Sequence, residues 1–269
     1  MMADDDIAQS TRWYLTSLGK GVLAFAVFVV LLLLWTAYVR IAELSPLVLP
    51  TPYAVWQSLV ENTLNGQLPE HSVTTLTEIV LGFLLGSVVG IALGAATARS
   101  QLIREMIGPY ILASQAMPKL ALAPIMVLWM GFGIAPKVVI TALICFFPLL
   151  ENTIIGLTST SPHQLELFRA LSATGWQTFI KLRVPSALPV IFAGLRVAVT
   201  LAVVGAVVGE YVGANKGLGA LVIVTQGSFD TPLMFAIFVY LTVIGIVLYK
   251  LMQMLESTFF SWRTIERGD

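Results

Sequence analysis

Cysteine, histidine and charge are all scarce here: one cysteine, two histidines and 11% charged residues in 269 positions, and each shortage removes a class of function. A single thiol, Cys145, rules out a disulfide within the chain and any multi-cysteine metal cluster. Its setting in the apolar run TALICFFPLL is that of a small buried hydrophobe. His71 and His163 fall in segments expected on opposite sides of the molecule, so no histidine metal site is expected. The 15 basic residues balance the 15 acidic ones, and no basic surface invites nucleic acid. No G-x-x-x-x-G-K-[ST] segment occurs. GANKGLG (213–219) has a lysine between glycines, but no Ser or Thr follows a Gly-Lys pair and no strand precedes it, so ATP hydrolysis by this chain is not expected. No nucleophile, base and orienting group recur at a readable spacing, and neither a catalytic residue nor a bound cofactor or metal is expected.

What is abundant is apolar surface. Hydrophobic residues make up 57% of the chain and mean hydropathy is +0.88, above the soluble globular range of about 45–50% apolar. The pattern predicts an all-α polytopic membrane protein with six transmembrane helices. About 20 apolar residues at 1.5 Å rise match a hydrocarbon core of about 30 Å. Gly21 to Val39, bracketed by Lys20 and Arg40, meets that requirement. The other spans are expected at about Val73 to Ala98, Met106 to Trp129, Lys137 to Leu157, Leu188 to Tyr211 and Pro232 to Leu255. Thr51-Pro52 predicts a short helix start, with Tyr53, Trp56, Leu59 and Val60 on one face at the membrane surface. The third span is interrupted by Pro118, Lys119 and Pro124, which predicts a bend beside protein or a water-filled cavity. GFGIAP (131–136) reads as a tight external turn, and an external loop is expected between GANKGLG and the helix-start signal Asp230-Thr231-Pro232.

Lys and Arg fall unevenly on the two sides. Arg12, Lys20, Arg99, Arg104, Arg169, Lys181, Arg183, Lys250, Arg263 and Arg267 lie on the expected cytoplasmic side, against Arg40, Lys119, Lys137 and Lys216 outside or within the membrane. Both termini are therefore expected in the cytoplasm, with tails at 1–20 and 258–269 around one six-span domain at 21–257. Gly82, Gly86, Gly90 and Gly94 are each four residues apart on the second span. A glycine costs about 1 kcal/mol relative to alanine in a helix, so four in register predict close approach of a neighbouring helix. Charges inside spans are candidate pathway residues. Lys119 either faces a pore or snorkels outward, and Glu151 either bonds a neighbouring segment or touches solute. Arg196 either pairs with Glu151 or snorkels to headgroups, and Glu210, before the Gly-rich loop, is a further pathway candidate, for which resemblance to a known family implies a structural or gating role rather than solute contact.

The stretch from Ser161 to Pro189 is polar and basic in an otherwise apolar chain, which places it outside the bilayer between spans four and five. Ser161, Pro162 and Gln164 predict a capped helix start. Glu166 and Arg169 share one face, while Ala170, Ser172, Ala173 and Gly175 are small enough for the helix to enter a groove and Trp176 can anchor its far end.

ELFRALSATGW…LRVP resembles the cytoplasmic coupling loop of binding-protein-dependent ABC importer permeases, whose pattern is E-A-A, three residues, G, nine residues, I-x-L-P. Glu166 and Pro185 match by identity. Leu167, Phe168, Ser172, Leu182 and Val184 match by position. LPTPYAVWQSL, ALAPIMVLWMGFGIAPK and GEYVGANKGLGALV are similar to the nitrate/sulfonate/taurine branch of that family. The resemblance implies a type I importer permease fold with a coupling helix in a loop at about 159–187. It implies a bacterial inner-membrane subunit, not itself an enzyme, moving a small solute inward: a small anion such as nitrate, a sulfonate or taurine, or a related small organic nutrient. It further implies a second permease copy, ABC ATPase subunits carrying ATP and Mg, and a periplasmic substrate-binding protein. Two other readings remain at this point. A secondary transporter predicts ion-coupling carboxylates in broken helices and an inverted repeat, and a structural subunit of a larger membrane complex predicts no docking loop.

Overall fold

A computed structural model describes residues 17–259, apart from the side chains of 17, 18, 112, 114–116, 119 and 120. The tails holding Arg12, Arg263 and Arg267 lie outside the described residues, as does the side chain of Lys119. All regular elements among the described residues are helical: α1 (Ser17–Ile41), α2 (Pro52–Leu64), α3 (Gln67–Arg99), α4 (Gln101–Ala116), α5 (Ala123–Met130), α6 (Ile134–Thr158), α7 (Pro162–Ala170), α8 (Gly175–Thr178), α9 (Val184–Gly213), α10 (Leu218–Gly227) and α11 (Thr231–Phe259). Five segments are long and apolar enough to cross a membrane: Gly19–Ile41, Gln67–Arg99, Ile134–Thr158, Gly175–Gly213 and Thr231–Phe259.

Two expectations need correction. The third span is not one helix: α4 ends at Ala116 and α5 begins at Ala123, with a 3-10 turn at Lys119–Leu122 between them. Pro118 lacks an N–H and disfavours helix in the residue before it, so the break falls where the proline stands. The segment after GANKGLG is not a loop but α10, whose Leu218, Ala220, Leu221 and Val222 are buried.

The chain forms two compact units. One holds residues 17–62 with 225–236. There Thr51 caps α2 by accepting the Ala54 N–H at 3.3 Å, and Asp230 caps α11 by accepting the Leu233 N–H at 3.1 Å. Thr231 donates to the Leu47 carbonyl at 2.6 Å, and the rings of Trp35 and Phe235 lie 5.7 Å apart. Tyr53 and Trp56 of α2 are exposed.

The other unit, 63–224 with 237–259, is organised on α6. Glycines close it in from two sides. A Cβ added at Gly86 of α3 would stand 2.6 Å from the Ala142 carbonyl oxygen, and one at Gly90 would stand 2.8 Å from that of Phe146. Gly82 and Gly94 face Thr141 and Thr153 in the same way. From α9, Gly194 lies against Asn152, Gly205 against Thr141 and Gly209 against Lys137. Without side chains in the way, both helices approach α6 at backbone distance, the geometry that favours association where lipid supplies no hydrophobic drive. Ile79 and Phe83 of α3, Cys145 and Leu149 of α6, and Ala198 and Ala202 of α9 form the core. Cys145 is fully buried and donates its S–H to the Ala198 carbonyl at 3.2 Å.

Candidate functional site

The polar stretch after α6 folds as a short helical hairpin. Helix α7 ends at Ala170, and the three N–H groups that follow turn back on it. Leu171 donates to Leu167 O at 3.0 Å, Ser172 to Arg169 O at 2.9 Å and Ala173 to Phe168 O at 3.0 Å. This is a Schellman closure, which needs a left-handed residue just past the cap, and Ser172 supplies it with φ +52°. The expected single slim helix from Glu166 to Gly175 therefore does not form. Ala170 ends α7, Ser172 and Ala173 make the turn, and Gly175 opens α8. Ser172 also stands where the family pattern has glycine, and its backbone conformation gives the physical reason for that preference.

The capping box falls elsewhere than expected. Ser161 makes no side-chain cap and Pro162 alone sets the entry to α7, whose residues all contact solvent and can leave their N–H groups to water. Instead Thr174 accepts from Gln177 N at 3.2 Å while Gln177 Oε1 accepts from Thr174 N at 2.9 Å. Helix α8 runs through a π turn, Phe179–Arg183, straight into α9. Glu166 and Arg169 are exposed, with Glu166 4.0 Å from His163. Trp176 is 59% exposed and stacks on Phe179 at 5.9 Å. Beneath the hairpin a cavity of about 420 Å³ is lined by Arg99, Arg169, Arg183, Trp176 and Phe179, among others. Glu151 lies apart from it, lining a cavity of about 240 Å³ with Arg104. Arg196 neither meets Glu151 nor snorkels free. It pairs with Glu256 of α11 at 3.3 Å.

At the opposite end of the same three helices is a buried polar network. Glu78 of α3 accepts from Lys137 Nζ of α6 at 2.6 Å, and both side chains are at most 8% exposed. Glu210 of α9 is fully buried. Its Oε1 accepts from Thr75 Oγ1 at 2.7 Å and its Oε2 from the Gly219 N–H at 2.5 Å. Thr75 in turn accepts from the Leu218 N–H at 2.8 Å. Glu210 and Thr75 thus cap α10 by taking two N–H groups of its first turn, which have no partner within the helix. That gives Glu210 a structural place in the fold. Gly217, at φ +124°, leaves no room for a Cβ against the Glu210 carboxylate. His71 Nδ1 sits 2.8 Å from the carbonyl oxygen and 3.1 Å from the amide nitrogen of Gly217, serving one or the other by tautomer. His71 belongs to α3 rather than a loop. At the surface Lys216 donates to Glu70 at 2.9 Å, and that bond holds the Lys216 pKa above its usual value. Both groups are well exposed, so the pair adds little stability. Thr75, Glu78 and Lys137 were not candidates in the sequence. The signal that could have found them is two opposite charges, each inside an expected span or at its edge.

The family described as binding-protein-dependent transport system inner membrane component matches residues 79–260. This chain belongs to that family. Relatives of this permease include the formylaminopyrimidine transport permease of Halalkalibacterium halodurans, 38% identical over 88% of this chain and 94% of the relative. The riboflavin transport system permease of Chloroflexus aurantiacus is 37% identical over 86% and 87%. The putative aliphatic sulfonates permease of Bacillus subtilis is 30% identical over 93% and 89%. Among solved structures, the methionine ABC transporter MetNI in an inward-facing form aligns with TM-score 0.60 at 18% identity, covering 69% of this chain and 92% of that one. The fold is thus that of type I ABC importer permeases, and this multi-pass chain is an ABC transporter permease.

Proposed function

We propose that this permease carries a small organic nutrient, of the heterocyclic kind, across the bacterial inner membrane into the cytoplasm, with both of its termini on the cytoplasmic side. Import is driven by separate ABC ATPase subunits that hold the ATP and Mg, a periplasmic binding protein delivers the solute, and a second copy of the chain completes the pathway. Two relatives above 35% identity are named for a formylaminopyrimidine and for riboflavin, while a third names no solute, which favours a heterocycle over a small inorganic anion. Charge placement points the same way. Among the described side chains within the spans, Lys137 is held by Glu78 and Arg196 by Glu256, so neither is free to meet a solute anion.

The observation that carries the coupling role is the continuity of the hairpin. Helix α7 follows α6 after three residues and is joined by four residues to α8, which passes into α9 without a loop. A push on exposed α7 therefore reaches the two helices that share the core. Cysteines placed at Ala170 or Ala173 in a Cys145→Ala background should cross-link to the ATPase subunit. Glu166→Lys should leave membrane insertion intact and abolish ATP-dependent uptake. Normal uptake with no cross-link at either position overturns the coupling role. For the solute, the binding protein encoded beside this chain should stimulate ATP hydrolysis in proteoliposomes when loaded with an aminopyrimidine or a flavin. Stimulation by taurine alone overturns the heterocycle assignment.

A further inference from the structure

The cavity under the hairpin has an unusual charge content. Arg99 comes from the last turn of α3, Arg169 from the last turn of α7 and Arg183 from the π turn before α9, and no carboxylate lines the space they share. None of the three has an ion-pair partner among the described residues. A narrower cavity of about 120 Å³ also takes Arg183 and adds Thr160. Thr160 is 9% exposed, and its hydroxyl has no hydrogen-bond partner. Arg104 lines this second space too, but it also faces the cavity that holds Glu151 and is left out of the assignment.

Three guanidinium groups lining one concavity repel one another to the extent that water does not screen them, and an anion among them turns that repulsion into attraction. The planar fork of arginine fits the oxygens of a phosphate. The depth selects the source of that phosphate. Helices α3 and α6 end here and α9 begins here, so the site lies where the headgroups of a bilayer lie. The stacked Trp176 and Phe179 give it one aromatic wall, as is common at the membrane–water boundary. Basic pockets between spans at this level suit anionic lipid headgroups. We infer that the Arg99–Arg169–Arg183 cavity binds the phosphate of an anionic phospholipid. The inference goes beyond the import role and stands or falls separately from it.

The test uses the full-length protein, equilibrated in nanodiscs of mixed phosphatidylglycerol and phosphatidylcholine, then released into detergent and weighed by native mass spectrometry. The wild type should retain phosphatidylglycerol in preference to phosphatidylcholine. Arg99→Gln, Arg169→Gln and Arg183→Gln should each lower that preference about fivefold, about 1 kcal/mol per arginine near a headgroup, and the triple variant about a hundredfold. The triple lysine variant keeps the charge and should retain most of the preference. If the glutamine variants do not fold, the wild-type lipid comparison and the lysine variant still decide. Equal retention of both lipids by the wild type overturns the inference. So does inorganic phosphate alone binding the protein while no lipid preference exists. Unchanged lipid preference in the triple glutamine variant, with loss of ATPase co-purification, assigns the arginines to a carboxylate of the partner and overturns it as well.

Discussion

Gly86→Ala isolates the contact on which the α3–α6 core depends. The new Cβ would stand 2.6 Å from the Ala142 carbonyl oxygen, 3.0 Å from Cys145 Cβ and 3.1 Å from Ala142 Cα. Non-bonded carbons and oxygens prefer about 3.5–4.0 Å, so one helix must retreat by about 1 Å. Two of the three obstructing atoms are backbone and cannot rotate aside. Forcing a methyl group into a packed core costs about 1–3 kcal/mol, while alanine gains about 1 kcal/mol in helix propensity. A net loss of up to about 2 kcal/mol is expected, compounded at Gly90, where the Phe146 carbonyl stands 2.8 Å from the added atom. Gly21→Ala is the control: nothing lies within 4 Å of its added Cβ, so only the propensity gain remains and the sign reverses. The assay is denaturation in detergent, by heat and by SDS titration, with folded protein read by size exclusion. Gly86→Ala and Gly90→Ala should unfold earlier than wild type and Gly21→Ala at the same point or later. If both core variants are as stable as wild type, α3 and α6 are not in backbone contact and the description of the core is wrong.

Ser172→Gly should stabilise the hairpin by about 1 kcal/mol and preserve uptake, since it removes the strain of a left-handed side chain, whereas Ser172→Val should cost about 1–2 kcal/mol. Hydrogen exchange of the Ala173 amide reads both. Lys137→Met should destabilise by about 3–5 kcal/mol by leaving Glu78 buried without its cation, and Glu78→Gln added to it should recover part of that loss. An additive double variant would mean that the pair is not coupled. Glu210→Ala should expose the amide of Gly219 to exchange more than that of Leu218, which keeps Thr75 as its acceptor, and should make α10 susceptible to protease, with no change if water replaces the cap. Reporter fusions at Gly66 and Gly268 should report opposite sides of the membrane, and the same side for both would sink the expected topology.

Much of the architecture was legible along the chain, because span length, helix starts and breaks are local properties. The charge-free run after Lys20 and the Asp230 cap each depend on residues within a turn or two of the element they shape, and Pro118 marked where the third span departs from a straight helix, though as a bend and not the break that forms. The glycine stripe was legible for the same reason, since a four-residue spacing places those positions on one face whatever lies opposite. What lies opposite was not. That α6 is held by glycines of both α3 and α9 depends on the rotation of each helix about its axis, which only packing sets. The partner of each buried charge is set in the same way. Glu78 meets Lys137 and Arg196 meets Glu256 because the bundle brings distant turns level. Two short features were hidden by length and backbone. Helix α10 is ten residues of apolar sequence, too short to announce itself as a span, and one of the two side chains that cap it, Thr75, is far away in sequence. Ser172 looked like one more small residue in a helix, yet the turn that ends α7 there is a property of φ, which a serine does not disclose and a glycine would have.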